Sequence, residues 1–125
     1  MTVRLNHTIV HSQDKKGSAE FLARILGLSP PGTFGHFVTV ELENGVSLDF
    51  DNADKVLSQH YAFLVDDEDF EPIFERVQAE GIVFYADPMH QQRGEINARH
   101  GGRGFYFSGP EGHNLEVITR PYGSD

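Results

Sequence analysis

Cysteine is absent from this chain of 125 residues, which excludes disulfide bonds, thiolate metal sites and cysteine nucleophiles. Positive charge is scarce: 10 lysines and arginines against 19 aspartates and glutamates give a formal net charge of -9. Because nothing supplies a phosphate-neutralising surface, we expect neither nucleic acid nor an anionic membrane as a partner. No apolar run approaches the length of a transmembrane span. We therefore predict a cytoplasmic protein.

The length and composition that remain are those of one globular domain. Hydrophobic residues make up 38% of the chain and aromatic residues 11%, enough for a core of its own. We predict a single domain over residues 1–125. Seven histidines, spread along the chain, are the unusual feature of the composition.

The first half of the chain shows one helical and several strand patterns. The predicted elements are a strand (3–10), a helix (14–26), a loop (28–33) and two strands (35–41 and 46–50). His7 lies in the middle of the first predicted strand. Asp14 is placed to cap the helix and Gly27 follows its last turn. Asn44-Gly45 is a strong hairpin signal between the last two strands.

The second half repeats this order with a longer loop. The predicted elements are a strand (59–65), a helix (68–80), a short strand (82–86), a polar loop (87–104) and a closing hairpin whose turn spans 109–112. His60 lies near the start of the first of these strands. The order strand, helix, strands in both halves indicates a duplicated α+β domain. We predict modules of about residues 1–58 and 59–122, with an insertion in the long loop of the second.

Each module pairs a histidine near its start with a carboxylate near its end. His7 and His60 are 53 positions apart, and the carboxylates lie in the similar triplets Leu48-Asp49-Phe50 and Leu115-Glu116-Val117. If the modules pack about a pseudo-twofold axis, the four side chains converge. Such nitrogen and oxygen ligands suit Fe, Mn, Ni, Zn or Co as a divalent cation. The alternative is that the histidines are structural and the carboxylates solvated.

The stretch Y-F-S-G-P-E-G-H-N-L-E, from Tyr106 to Glu116, is similar to the closing hairpin of the vicinal oxygen chelate superfamily. That superfamily includes glyoxalase I, extradiol dioxygenases, fosfomycin thiol-transferases and bleomycin-resistance proteins. The resemblance extends from Leu5 to Tyr122. It implies an α+β fold of two paired βαβββ modules, whose open, curved mixed sheet surrounds a metal or ligand cavity with the helices on the convex side. It also implies a homodimer.

The same resemblance implies which residues carry the chemistry. His7, His60 and Glu116 fall at the family's metal ligands, and Asp49 falls at the fourth place, where glyoxalase I has a longer glutamate. Glu116, Asp49 and Tyr106 are the candidate catalytic residues. The implied function is a metal-dependent enzyme of the glyoxalase or dioxygenase type that chelates a small oxygenated substrate. Lyase, isomerase, transferase and oxygenase chemistry all remain open.

A second function stays open beside the enzyme. Bleomycin-resistance proteins keep this fold without metal, so the chain could instead sequester an antibiotic or metabolite in a dimer cleft. An aromatic-lined cavity would serve that function, whereas intact metal ligands favour the enzyme.

The long polar loop concentrates positive charge in an acidic chain, through Arg93, Arg99 and Arg103. Because arginine recognises carboxylates and phosphates, we expect an anionic small-molecule ligand. The predicted substrate-binding residues are Arg93, Asn97, Arg103 and Tyr122. The alternative is a solvated loop or a dimer contact.

Overall fold

A computed structural model describes residues 2–123. The chain divides into two compact units, of which one ends at Val56 and the next begins at Leu57. We call them module one and module two. That the two modules act as one functional domain stays a prediction.

Module one is a four-stranded mixed sheet with one helix. Its elements are β1 (His7–Ser12), α1 (Lys15–Leu26), β2 (Gly32–Phe34), β3 (Phe37–Glu41) and β4 (Ser47–Asn52). The strand order is β1-β4-β3-β2, with β1 parallel to β4 and the other pairs antiparallel. The helix packs against β1, β3 and β4.

Local chemistry sets the ends of α1. Asp14 caps the first turn, because its carboxylate accepts a hydrogen bond from the Gly17 N–H at 3.0 Å. Gly27 ends the helix in the left-handed conformation, with φ 71°. The helix buries one apolar face, whose members are Ala19, Leu22, Ala23 and Ile25. Both predicted caps are confirmed.

Module two repeats this architecture. Its elements are β5 (His60–Leu64), α2 (Asp67–Ala79), β6 (Phe84–Tyr85), a 3₁₀ turn (Arg99–Gly101), β7 (Gly104–Ser108) and β8 (Asn114–Ile118). The strand order is β5-β8-β7-β6, again with one parallel pair, β5 and β8. The two sheets confirm the predicted α+β fold of two βαβββ modules.

An aromatic cluster joins α2 to its sheet. The ring of Phe105 on β7 lies 5.6 Å from Phe70 and 5.3 Å from Phe74, both on α2. Phe84 on β6 closes the group at 4.9 Å from Phe74. Phe105 is fully buried. Neighbouring residues of a strand point to opposite faces of the sheet. The helix therefore covers the face to which Phe105 points, and Tyr106 points to the other face.

The strand registers of the two modules match. In module one, Asp49 lies on the central strand β4, between Ile9 of β1 and Thr39 of β3. His7 is the first residue of β1 and pairs with Ser47. Directly paired residues point to the same face of a sheet, so Ile9, Asp49 and Thr39 form one row.

The same row appears in module two. Glu116 lies on the central strand β8, between Ala62 of β5 and Tyr106 of β7. His60 is the first residue of β5 and pairs with Asn114. In both modules, therefore, the histidine begins the strand that runs parallel to the carboxylate's strand, and the two residues occupy corresponding positions of the sheet.

The modules differ in one connection. A turn of two residues, Gly35-His36, joins β2 to β3, whereas residues 86–103 join β6 to β7. The predicted insertion lies here.

Two predictions for module one were wrong. The first strand does not cover residues 3–10 but begins at His7, because Val3 and Leu5 are 90% and 65% exposed and pair with no strand. Their alternation imitates a buried strand face. Gly32 and Thr33, expected in a loop, form the short edge strand β2 together with Phe34. Among residues 2–123, no helix has both the length and the apolar character to cross a membrane.

Candidate metal and substrate site

Glu116 is a buried carboxylate in the middle of a sheet. Only 7% of the residue is exposed. One of its oxygens lies 2.9 Å from Nε2 of His60, on the neighbouring parallel strand. Because a buried charge is costly unless it is paired or bound to a metal, this contact accounts for the burial of Glu116.

The side chain opposite Glu116 completes a small network. Tyr106 is buried, and its hydroxyl donates a hydrogen bond to Glu116. The pKa of Tyr106 is raised to about 12, first by burial and then by the bond to Glu116 and its charge, while Arg99 opposes the shift. Tyr106 is therefore a hydrogen-bond donor, not a base, at neutral pH.

His60 and Glu116 are residues of the types that bind divalent cations, through an imidazole nitrogen and a carboxylate oxygen. The 2.9 Å between Nε2 and the carboxylate oxygen is a hydrogen-bond distance, which places the two possible ligand atoms side by side. The imidazole is half exposed, whereas the carboxylate side chain is 9% exposed. The pair is therefore open to solution on the histidine side.

The corresponding residues of module one have other partners. Nδ1 of His7 lies 2.7 Å from the side-chain oxygen of Asn6, so its Nε2 keeps a lone pair if Nδ1 carries the proton. Asp49 is buried and accepts a 2.7 Å hydrogen bond from the hydroxyl of Ser47. An imidazole held through Nδ1 is typical of a metal ligand that binds through Nε2.

The insertion in module two is held in place by hydrogen bonds. The Asn97 side chain donates to the backbone oxygen of Ala86 at 2.8 Å, and the backbones of Asn97 and Gly104 bond each other twice. His90 stacks on the ring of Tyr85 at 4.2 Å. The loop is therefore ordered around a few fixed points.

Of the predicted substrate-binding residues, Asn97 and Arg103 have side chains that already bond to other residues of the chain. Arg103 pairs with Glu71 of α2 at 2.5 Å, and its guanidinium lies over Phe70 at 4.3 Å from the ring centre. A substrate would have to draw both side chains away from these partners. Their role in binding stays a prediction.

The other two predicted residues lie at the surface. Arg93 forms a single antiparallel bridge with Tyr85, near the exposed tip of the loop. Tyr122 is 88% exposed, with its ring 5.2 Å from that of His100. Neither residue is joined to Glu116 by a contact within residues 2–123.

Arg99 is the residue that the sequence analysis did not assign to the site. Its guanidinium donates to the hydroxyl of Tyr106 at 3.4 Å. In the sequence Arg99 is noticeable only as one of several charges in the loop. Arg99 and Tyr106 are seven positions apart but lie on different elements, the 3₁₀ turn and β7, so no periodic pattern could have paired them.

Among residues 2–123, the group of at least three possible metal ligands with neighbouring ligand atoms is the exposed acidic cluster Asp66, Glu68 and Asp69. These residues lie at the start of α2. Acidic side chains are favourable there because the N-terminus of a helix carries a partial positive charge. The helix accounts for the cluster without a metal.

Known proteins resemble the chain over nearly its whole length, although no protein-family model matches it. It is 31% identical to the glutathione transferase FosA of Serratia marcescens, over 94% of this chain and 81% of that protein. The structure of oxidase ChaP-H1 is 54% identical, with a TM-score of 0.96 over 98% of this chain and 100% of that chain. The structure of oxidase ChaP-H2 is 56% identical, with a TM-score of 0.96 over 99% of this chain and 98% of that chain. With its paired βαβββ modules and its closing hairpin, the chain belongs to the vicinal oxygen chelate superfamily.

Proposed function

We propose that this protein is a metal-dependent oxidase that acts on a small oxygenated molecule, with dioxygen as the oxidant. The observation that carries the proposal is the contact of His60 with the buried carboxylate of Glu116 at 2.9 Å. The choice of oxidation over the other reactions of the superfamily is supported by the similarity to two proteins named as oxidases, at 54% and 56% identity.

The proposed metal ligands are His7, His60 and Glu116, the residues that fall at the superfamily's ligand positions. Two imidazoles and one carboxylate leave open positions, and a divalent metal bound there would act as a Lewis acid towards neighbouring substrate oxygens. Iron, manganese, nickel, zinc and cobalt all suit this ligand set. Iron is the choice that agrees with oxidation by dioxygen.

The protein groups around this site have separable roles. Tyr106 fixes the orientation of Glu116 and keeps its own proton at neutral pH, because its pKa is about 12. Asp49 is the proposed proton acceptor, as the second candidate catalytic carboxylate. Arg93, Asn97, Arg103 and Tyr122 remain proposed substrate contacts, and we also propose a cytoplasmic homodimer.

A group-transfer enzyme is the second candidate. The similarity to a glutathione transferase, at 31% identity over 94% of the chain, favours it. A metal site of the same ligands would serve either reaction, so the metal and the co-substrate distinguish them. Oxidation requires dioxygen, whereas transfer of a thiol requires the thiol as a second substrate.

Elemental analysis of protein purified without chelators or a histidine tag tests the proposal. We expect about one iron per chain, lost in His60→Ala. Added nitric oxide should give the electron paramagnetic resonance signal of a ferrous-nitrosyl complex, which reports an open position on the iron. Nickel, zinc or manganese in place of iron would contradict the oxidase and favour transferase, lyase or isomerase chemistry. Failure to take up any of these metals would leave the metal-free binding protein.

A further inference from the structure

Arg99 is a cation without a carboxylate partner in an acidic protein. The net charge of the chain is -9. Within residues 2–123, Arg103 pairs with Glu71 and Arg120 pairs with Asp67, whereas Arg99 forms no ion pair. Its guanidinium contacts the hydroxyl of Tyr106 instead. Most of its five N–H donors therefore remain available to a ligand.

The backbone of Arg99 is fixed although its side chain is exposed. The Arg99 N–H donates to the side-chain oxygen of Asn97 at 3.1 Å, and the nitrogen of the same amide bonds the oxygen of Ala86. Past the 3₁₀ turn, Gly102 lies against Thr119, the residue after β8, where an added Cβ would be 2.4 Å from the threonine hydroxyl. The loop thus presents the guanidinium at a defined place, which lowers the entropy lost on binding.

Arg99 also lies one hydrogen bond away from the proposed metal ligand. The hydroxyl of Tyr106 accepts from Arg99 and donates to Glu116. At 3.4 Å the bond from the guanidinium is long for an N–H···O contact. A ligand anion offers shorter, charge-assisted bonds and would displace it.

We propose that Arg99 recognises a carboxylate on the substrate and is the specificity-determining residue of the site. The fork of its guanidinium would hold the two carboxylate oxygens, and the Tyr106 hydroxyl would stay on Glu116. The substrate class is then a small oxygenated carboxylic acid. This inference rests on the proposed function: the metal would bind one end of the substrate, and Arg99 would bind the carboxylate at the other end.

The test is binding of benzoate and of its neutral counterpart benzamide to metal-free protein, followed by nuclear magnetic resonance of the Arg99 Nε–H and the Tyr106 ring. We expect benzoate, and not benzamide, to shift both signals. Arg99→Gln should raise the Kd for benzoate about tenfold or more, since hydrogen bonds to a charged group are among the stronger ones. Arg99→Lys keeps the charge but loses the fork, so its effect should be smaller.

Arg120→Gln is the matched control, because it removes the same charge from the same module. Arg120 pairs with Asp67 and has no contact with Tyr106. We expect its Kd for benzoate to stay within about twofold of the wild-type value, because exposed charges are screened by salt. Equal weakening in both variants would show a general charge effect and overturn the proposal.

Metal content separates this inference from the proposed function. Arg99→Gln should bind iron as the wild type does, whereas His60→Ala should lose it. If the wild type binds iron but benzoate shifts neither signal, the carboxylate inference fails and the metal site stands. If no metal binds but benzoate binds through Arg99, the oxidase fails and the anion site stands.

Discussion

The two modules share a backbone and differ in what their central carboxylates bind. In module two, Glu116 lies 2.9 Å from His60, which begins the neighbouring strand. In module one, Asp49 accepts from Ser47 at 2.7 Å, and His7 bonds the residue before it. Both carboxylates occupy the same position of the same register. The repeated carboxylates therefore have different partners, a serine hydroxyl for Asp49 and an imidazole for Glu116.

The modules also differ in how they fill the row beside that carboxylate. Module two places Tyr106 and Tyr85 there, on β7 and β6, whereas module one places Thr39 and Gly32 on the equivalent strands. Tyr106 supplies a hydroxyl to Glu116. Of the two matching sheets, module two is therefore the one that places an aromatic hydroxyl beside its central carboxylate.

The largest expected effect concerns the cores. Phe105→Ala in module two and Phe50→Ala in module one should each lower the free energy of unfolding by about 3 to 5 kcal/mol, because both rings are buried. Phe105 should cost more by about 1 kcal/mol, since its ring contacts Phe70, Phe74 and Phe84. Urea unfolding measures the difference. Equal costs would mean that the aromatic contacts add nothing beyond burial, and the leucine variants of both residues repeat the test if the alanine variants do not fold.

The next effect separates the two carboxylates as ligands. Glu116→Gln should weaken metal binding by more than about 100-fold. Replacing a residue that only hydrogen-bonds to a metal ligand lowers the metal affinity by about 10- to 100-fold, and replacing the ligand itself should lower it more. Asp49→Asn should change the affinity little, since Asp49 is already bonded to Ser47. Isothermal titration with Co(II) measures both. A comparable loss in Asp49→Asn would make Asp49 a fourth ligand and remove this difference between the modules.

A smaller effect tests the hydroxyl beside Glu116. Tyr106→Phe should lower the free energy of unfolding of metal-free protein by about 1 kcal/mol at neutral pH, through the lost hydrogen bond. The folded-state pKa of Tyr106 is raised from 10.0 to about 12. Its contribution is therefore complete below pH 10 and is lost as the pH rises towards 12.

Chemical denaturation between pH 8 and pH 12 measures this contribution. We expect Tyr106→Phe to lack the part of the alkaline decline that the wild type shows. Thr39→Val, the equivalent change in module one, should keep it. An alkaline decline that is identical in wild type and Tyr106→Phe would show that Tyr106 ionises as easily in the folded chain as in the unfolded one.

The smallest effect belongs to the insertion, which module one lacks. Desolvation raises the pKa of Asp87, but the N–H groups of Gln92 and Gln91 outweigh it and hold the pKa below its ordinary value of 3.8. The stabilisation that the charged Asp87 gives the folded chain is therefore present above pH 3.8 and is lost as the pH falls through the lower pKa of the folded state. Asp87→Asn should speed hydrogen exchange at both glutamine amides. The turn residues Gly35 and His36 serve as an internal reference whose exchange should not change.

Much of the fold could be predicted because its signals are local. The turn chemistry of residues 109–112 and the alternation of Asn114 to Ile118 predicted the closing hairpin with Glu116 in its second strand. The first strand was placed too early, since the alternation of Val3 and Leu5 carries no information on burial. The edge strand β2 has only three exposed residues, too few to show a period.

The site was less accessible to prediction than the fold. His60 and Glu116 could be paired because the repeat relates two strands, and the structure brings their side chains together. Arg99 could not be placed, because its position depends on hydrogen bonds of Asn97 to Ala86 and Gly104, on either side of it in the chain. A loop path set by such bonds leaves no periodic trace.

The two sheets match except in one connection, the loop of residues 86–103, which is therefore a segment that could be replaced without changing the sheet. Residues 86–103 connect β6 to β7, which are neighbouring strands. The pairing of Tyr85 with Tyr106 in module two corresponds to the pairing of Gly32 with Thr39 in module one, where a two-residue turn makes the connection. This loop can therefore be exchanged while the imidazole and carboxylate on β5 and β8 keep their register. Under the proposed function, such an arrangement lets substrate recognition change without rebuilding the metal site.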